Sequence, residues 1–222
     1  ALTRAMVERQ ATWIDPDHPT TGDKSYRDGH FYSDKAPGVS MLAVVPYAVA
    51  RLALGAAGRP PEVSVEPLDP IAAQTERAPS LEERAPGDRI VFSPSYRFAL
   101  WLCRLFAVSV PSVLALYALG AIVRRYSGQR QAEFTALVYG LATPAFVYAA
   151  AFYGHQACAA FLVISLALIL HARPEHKTLP VLAGLSAGLA VLCEYPAAVV
   201  AVLLVAFAAH NRGVAFAIRV AA

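Results

Sequence analysis

The densest polar cluster in the sequence is Tyr26-Arg27-Asp28-Gly29-His30-Phe31-Tyr32-Ser33-Asp34-Lys35-Ala36-Pro37-Gly38, and it ends where an apolar segment begins. Lys35 sits at that boundary. Its ammonium is a compact point charge, and a water-poor boundary strengthens its pull on an anion. Together with backbone N–H groups of a Pro37-Gly38 turn, it suits a lipid-linked phosphate. Tyr32, His30 and the neighbouring carboxylates are of the types that orient a hydroxyl or accept its proton. The same residues also read as an ordinary juxtamembrane loop, with Lys35 snorkelling and the tyrosines in an interfacial belt.

Two further ionisable residues interrupt apolar runs. His155 follows Tyr148, Phe152 and Tyr153, and Glu194 precedes Tyr195-Pro196. Ionisable groups at membrane depth are costly and are functional suspects for that reason. Both are candidates for the substrate site, His155 for a sugar or a phosphate and Glu194 for an acceptor or an arginine partner; the alternative is that they are solvated helix ends. Cys103, Cys158 and Cys193 all fall in apolar runs, without a CxxC pair or a Cys/His cluster, so neither a zinc site nor a disulfide framework is indicated. No compact carboxylate cluster appears either, and the expectation is no metal and no cofactor.

The elements that position these groups follow from composition. Of 222 residues, 57% are hydrophobic and 16% charged, and the mean hydropathy is +0.45. Soluble domains run near 45–50% apolar and about 25% charged. The composition argues against a water-soluble domain of this size and excludes intrinsic disorder, and a net charge of +3 gives no argument for nucleic acid. The expected class is all-α, a polytopic transmembrane helical protein with an external juxtamembrane loop region.

Four zones divide the chain. Residues 1–38 form a polar, external catalytic-type loop with turn formers at Asp15-Pro16-Asp17, Thr21-Gly22-Asp23 and Asp28-Gly29. Residues 39–58 are apolar but carry Pro46 and Arg51, which favours a re-entrant segment over a transmembrane one. Residues 59–96 are a polar, Pro-rich loop with seven acidic and four basic residues. Residues 97–222 read as a bundle of about five helices, with polar breaks separating 97–123, 132–153, 156–172, 179–193 and 197–210. Crossing 30 Å of hydrocarbon takes roughly 20 residues. The first two helices are long enough, the third nearly so, and the last two are short limbs around Glu194-Tyr195-Pro196. Gly184 and Gly188, at GxxxG spacing, are expected to allow close helix packing. Residues 1–12 lack the pattern of a signal peptide. The opening at Ala1 and the apolar end at Ala222 read as a piece of a longer protein.

Charge placement orients the helices. Arg124, Arg125 and Arg130 occupy one break, Arg173 and Lys177 another, and Arg212 follows the last run, whereas the breaks at 153–156 and 193–196 carry no Lys or Arg. The positive-inside rule assigns the basic breaks to the cytoplasm and the others, with loop 59–96, to the outer face. Re-entry of 39–58 puts residues 1–38 outside as well.

The run Gly29 to Gly38, followed by Ser40 to Tyr47, resembles the first external loop of C-type glycosyltransferases. These polyprenyl-phosphate-sugar-dependent membrane enzymes are related to protein O-mannosyltransferases and to the lipid A aminoarabinose transferase. Members show an aromatic residue, then Lys-Pro-Pro or Lys-x-Pro-Gly, then an apolar segment. The 97–125 helix, the Gly154-His155 break and the Gly-rich 183–192 stretch are also similar to bacterial members. The resemblance implies a bacterial inner-membrane glycosyltransferase, its active loop outside the cytoplasm. Such an enzyme moves a sugar from a polyprenyl phosphate to an unidentified glycan, lipid or protein. Lys35 takes the place of the family's phosphate-binding lysine. The family's catalytic Asp, which lies early in the loop, has no matching position, and Asp15, Asp23, Asp28 and Asp34 are the substitutes that the chain offers.

Two other classes compete on the sequence alone. A transporter or flippase-like protein for a lipid-linked or small polar solute would use Glu194 beside a Pro break in a discontinuous helix. A non-catalytic membrane subunit would need none of these polar groups.

Overall fold

In a computed structural model that describes residues 1–66, 89–173 and 175–221, the polar segment 1–38 carries regular structure of its own. Helix α1 (Leu2–Arg4) continues as a π-helical turn, Ala5–Arg9, and ends at Gln10 in the left-handed conformation. A 3₁₀ turn, Asp15–Thr20, leads to an antiparallel hairpin of β1 (Lys24–Arg27) and β2 (His30–Ser33). Asp28 and Gly29, at φ 51° and 89°, close it with positive φ at both central positions, the geometry that matches strand twist and favours Asp-Gly. A bridge from Trp13 to Tyr32 extends the pairing, and Leu2, Ala5 and Ile14 pack beneath it against Phe31.

The apolar segment 39–58 is a broken helix: α2 (Gly38–Leu42) and α3 (Val44–Ala56) are separated at Ala43. Pro46 accounts for the break, because it lacks the N–H that would bond back to Leu42 and its ring crowds that carbonyl. Beyond α3, β3 (Val63–Glu66) pairs antiparallel with β4 (Arg89–Phe92). Residues 67–88 of the expected polar loop lie outside the described residues. The two hairpins correct the all-α expectation: the chain is mostly helical, with short strands in its polar segments.

Three consecutive helical pieces, α4 (Pro94–Arg104), a π turn (Leu105–Ser109) and α5 (Val110–Ser127), form one run of 34 residues. The π turn lies just before Pro111, where a regular helix would meet the proline ring. The expected 132–153 helix is instead α6 (Gln129–Ala142) and α7 (Ala145–Ala149). Thr143 is extended, as a residue before proline prefers, and its hydroxyl accepts the Ala145 N–H at 3.2 Å. This break overturns the reading of 132–153 as one span. Next come α8 (Gly154–His171), α9 (Thr178–Cys193), α10 (Ala197–Arg212) and α11 (Val214–Ala221), the last not foreseen as a helix. Pro94–Ser127 and Gly154–His171 are long and apolar enough to cross a membrane.

The chain divides into two compact units, one of Ala1–Lys35 with Ala43–Cys103, the other of Ala36–Leu42 with Arg104–Ala222. In the first, α1 lies against α3. In the second, α8 packs on α5 and α9, and α11 on α9 and α10. Ser165 donates to the Ala183 carbonyl at 2.8 Å and Ser186 to the Phe161 carbonyl at 2.7 Å, so each serine hydroxyl between α8 and α9 is satisfied without water. At the C-terminal end of α8, Arg125 and Arg212 both donate to the Leu170 carbonyl, at 2.9 and 2.7 Å. Outward-facing Leu185, Val199, Val202 and Leu203 leave an apolar surface of the kind that lipid covers.

The two glycines of the GxxxG pair differ. A Cβ on Gly184 would collide with the Val220 backbone, whereas one on Gly188 meets nothing within 4 Å. Gly184→Ala is expected to lower thermal stability in detergent by about 1–3 kcal/mol, the usual result of overpacking. Gly188→Ala is expected to be neutral or stabilising by up to about 1 kcal/mol, since Ala favours the helix. Equal melting temperatures for the two variants would contradict the close approach of α9 and α11.

Candidate functional site

The polar segment is organised around a buried carboxylate that the sequence reading did not single out. Asp17, 2% exposed, accepts from Arg4 Nη1 at 2.7 Å and from Arg9 Nη2 at 2.6 Å. A buried carboxylate needs such partners, because desolvation of an unpaired charge is prohibitive. The clamp ties the 3₁₀ turn to α1 and fixes Asp15 two residues earlier. No local motif announces it, because its partners lie eight and thirteen residues away.

Asp15 reaches the hairpin. Its Oδ2 lies 2.6 Å from His30 Nδ1, and its Oδ1 accepts the Phe31 backbone N–H at 2.6 Å. Burial works against the ionised Asp15, but the His30 bond, the Phe31 N–H and the imidazole charges outweigh it and hold this carboxyl below the usual carboxylate range. An ionised Asp15 needs a proton on Nδ1, which leaves Nε2 of the neutral imidazole with the lone pair. Trp13 stacks on His30 with centroids 5.3 Å apart. His18 stacks on Phe31 at 4.1 Å, and burial, with the Lys24 charge, lowers its pKa.

Lys35 stands beside two of the other candidates. Its ammonium is 3.2 Å from Asp23 Oδ1 and 3.8 Å from Asp34 Oδ1 while remaining 64% exposed. Pro37-Gly38 begins a helix, with Met41 N–H bonding to the Pro37 carbonyl at 2.9 Å, in place of the expected turn. Asp28 sits in the exposed hairpin turn beside Arg27. Tyr32 is half-buried in β2, opposite Ser25.

Glu8, which lies in the region of the family's acidic pair but without an Asp neighbour, forms a further site. It accepts from the Tyr47 hydroxyl at 2.6 Å and pairs with Arg51 at 3.2 Å and Arg4 at 3.5 Å. Burial alone would raise its pKa, but the Tyr47 bond and the two arginines bring it below the ordinary value. Arg51 thereby has its carboxylate, whereas Arg104 Nε is buried without a hydrogen-bond partner among the described residues.

In the second unit, His155 and Glu194 come together: Nδ1 and Oε1 are 2.9 Å apart. They are 39 residues apart in sequence, and only the parity of the helices puts the start of α8 and the end of α9 on the same side. The opposite end of α8 carries the Arg125 and Arg212 bonds to Leu170, about 22 Å away at 1.5 Å per residue. No group of three His, Cys, Asp or Glu side chains suited to a metal occurs among the described residues.

Residues 96–220, more than half of the chain, match the family described as dolichyl-phosphate-mannose-protein mannosyltransferase. No curated protein and no solved structure matches the chain.

The Asp15 geometry has a pH signature. A carboxyl whose folded pKa is lowered contributes stability above its unfolded value, and that stability is lost as the pH falls through the folded pKa. Protection of the Phe31 amide from hydrogen exchange, corrected for intrinsic rate, is therefore expected to hold from pH 7 to 5. It is expected to decline below about pH 4. Undiminished protection at pH 2 would contradict the bond to Asp15.

Proposed function

The chain belongs to the dolichyl-phosphate-mannose-protein mannosyltransferase family, membrane glycosyltransferases with a polyprenyl-phosphate-sugar donor, and from this premise we propose how its polar segment performs the transfer. The family match carries the reading, and it selects an enzyme over the transporter and subunit alternatives. The finer assignments draw on the geometry of residues 1–35.

Lys35 holds the donor phosphate. Its exposed ammonium is flanked by Asp23 and Asp34, which keep it in place until the singly charged phosphodiester of the donor takes their position. As the bond from the anomeric carbon to the phosphate oxygen breaks, the electron pair passes to the phosphate. The nearby ammonium stabilises that charge, as a fixed cation does for a leaving group. The acceptor hydroxyl forms the new bond to the anomeric carbon, and its proton goes to His30 Nε2. Asp15 fixes the tautomer and stabilises the imidazolium that results, the role a carboxylate plays behind a histidine base. Among the four candidate carboxylates, this gives Asp15 the positioning role, Asp23 and Asp34 the Lys35 partnership, and Asp28 the hairpin turn. His155 and Glu194 are proposed as sugar-side groups. Transfer takes place on the outer face of the membrane, to an acceptor on that side.

Lys35→Ala is expected to abolish sugar transfer from a mannosyl-phosphoryl-polyprenol while membrane insertion is retained. His30→Ala is expected to lower kcat by about 10²–10⁴, the range for loss of a general base, with KM for the donor little changed. Wild-type turnover in Lys35→Ala removes the phosphate-holding role, and wild-type kcat in His30→Ala removes the base.

A further inference from the structure

The surroundings of the His155–Glu194 pair are more specific than a helix end requires. Gly154 opens α8, and a Cβ there would lie 2.5 Å from the Cys193 carbonyl oxygen and 2.6 Å from Glu194 Oε1. Only glycine lets the end of α9 press the Glu194 carboxylate against the start of α8. Two tyrosine rings gather around the pair. Tyr148 and Tyr153 meet edge to face at 6.3 Å, Tyr148 meets His155 edge to face at 5.7 Å, and Tyr153 lies nearly parallel to the imidazole at 6.5 Å, 12° apart. Tyr153 is 58% exposed and Glu194 about a third, so ring face and carboxylate are both accessible.

Stability does not account for this arrangement. An ion pair with a 64% exposed histidine contributes little to folding, and an interfacial tyrosine belt needs no carboxylate among its rings. The combination does fit a pyranose. A carboxylate accepts from two vicinal hydroxyls, an imidazole nitrogen serves a third, and an exposed aromatic face covers the apolar C–H face of the ring. Gly154 is the first residue of a helix long and apolar enough to span, which puts the site at headgroup depth, where a lipid-linked sugar is carried.

We propose that Glu194, His155, Tyr153 and Tyr148 form a saccharide subsite that recognises the hydroxyls of a hexopyranose. This deepens the glycosyltransferase reading and rests on it. The shared chemistry is the sugar ring, which arrives either on the lipid donor or on the acceptor.

The test measures dissociation constants for the protein in nanodiscs with mannosyl-phosphoryl-polyprenol, bare polyprenyl phosphate and methyl α-mannopyranoside. Glu194→Gln and Tyr153→Ala are each expected to weaken a sugar-bearing probe at least tenfold and to leave bare polyprenyl phosphate unchanged. Tyr153→Phe, which keeps the ring, is expected to bind as the wild type does. Weakening of the lipid-linked probe alone assigns the subsite to the donor, and weakening of methyl mannoside assigns it to the acceptor. Equal weakening of bare polyprenyl phosphate, or no weakening of either sugar probe, overturns the subsite. A wild type that binds bare polyprenyl phosphate but neither sugar probe also overturns it and leaves the lipid-phosphate reading standing. A wild type that binds none of the three overturns both.

Discussion

A single carboxylate taken out of water governs the polar segment. Asp17 is almost fully buried, and the guanidiniums of Arg4 and Arg9 approach its two oxygens separately. Neither cation nor anion is tolerable there alone, because each would keep its desolvation penalty without the compensating attraction. The consequence is geometric: α1, the turn at Asp15–Thr20 and, through Asp15, the His30 hairpin are fixed relative to one another. For the base proposed at His30, the carboxylate behind it has itself to be held in place, and the Asp17 clamp ties the turn that carries Asp15 to α1.

The second unit is governed by its solvent. Helices in hydrocarbon must satisfy their polar groups internally, and the serines between α8 and α9 do so against backbone carbonyls. Polar chemistry is thereby pushed to the helix ends. One end of α8 gathers arginines on the Leu170 carbonyl; the other gathers an acid, an imidazole and two tyrosines. The asymmetry between a cationic end and a hydrogen-bonding, aromatic end suits a protein whose chemistry takes place on one side of a bilayer.

Much of this was legible in the residues. The apolar runs gave α8, α9 and α10 to within a few positions, and the Asp28-Gly29 pair marked a turn that became a hairpin. The failures have local causes. Pro144 ended a run that hydropathy alone would carry to residue 153, whereas the interruption at Pro46 was visible in the residues. Short strands of mostly polar and aromatic residues, such as Lys24–Arg27 and His30–Ser33, were hidden inside a segment read as loop because hydropathy does not register them. Lys35, His30 and Asp15 were visible as residue types at a suggestive boundary. Their pairings were not, since Asp15 with His30 and Asp17 with Arg4 are set by tertiary folding across 15 and 13 residues. The same holds for Glu8 and Tyr47, joined across 39.

The central claim is that the protein breaks the bond between a sugar and a polyprenyl phosphate. The most direct measurement follows the fate of mannosyl-phosphoryl-polyprenol labelled in both the sugar and the lipid, in liposomes containing the purified protein and a membrane extract as acceptor. The account predicts that free polyprenyl phosphate appears in step with the transfer of labelled sugar to a new product. Donor that stays intact, or crosses the bilayer with both labels still joined, would contradict it.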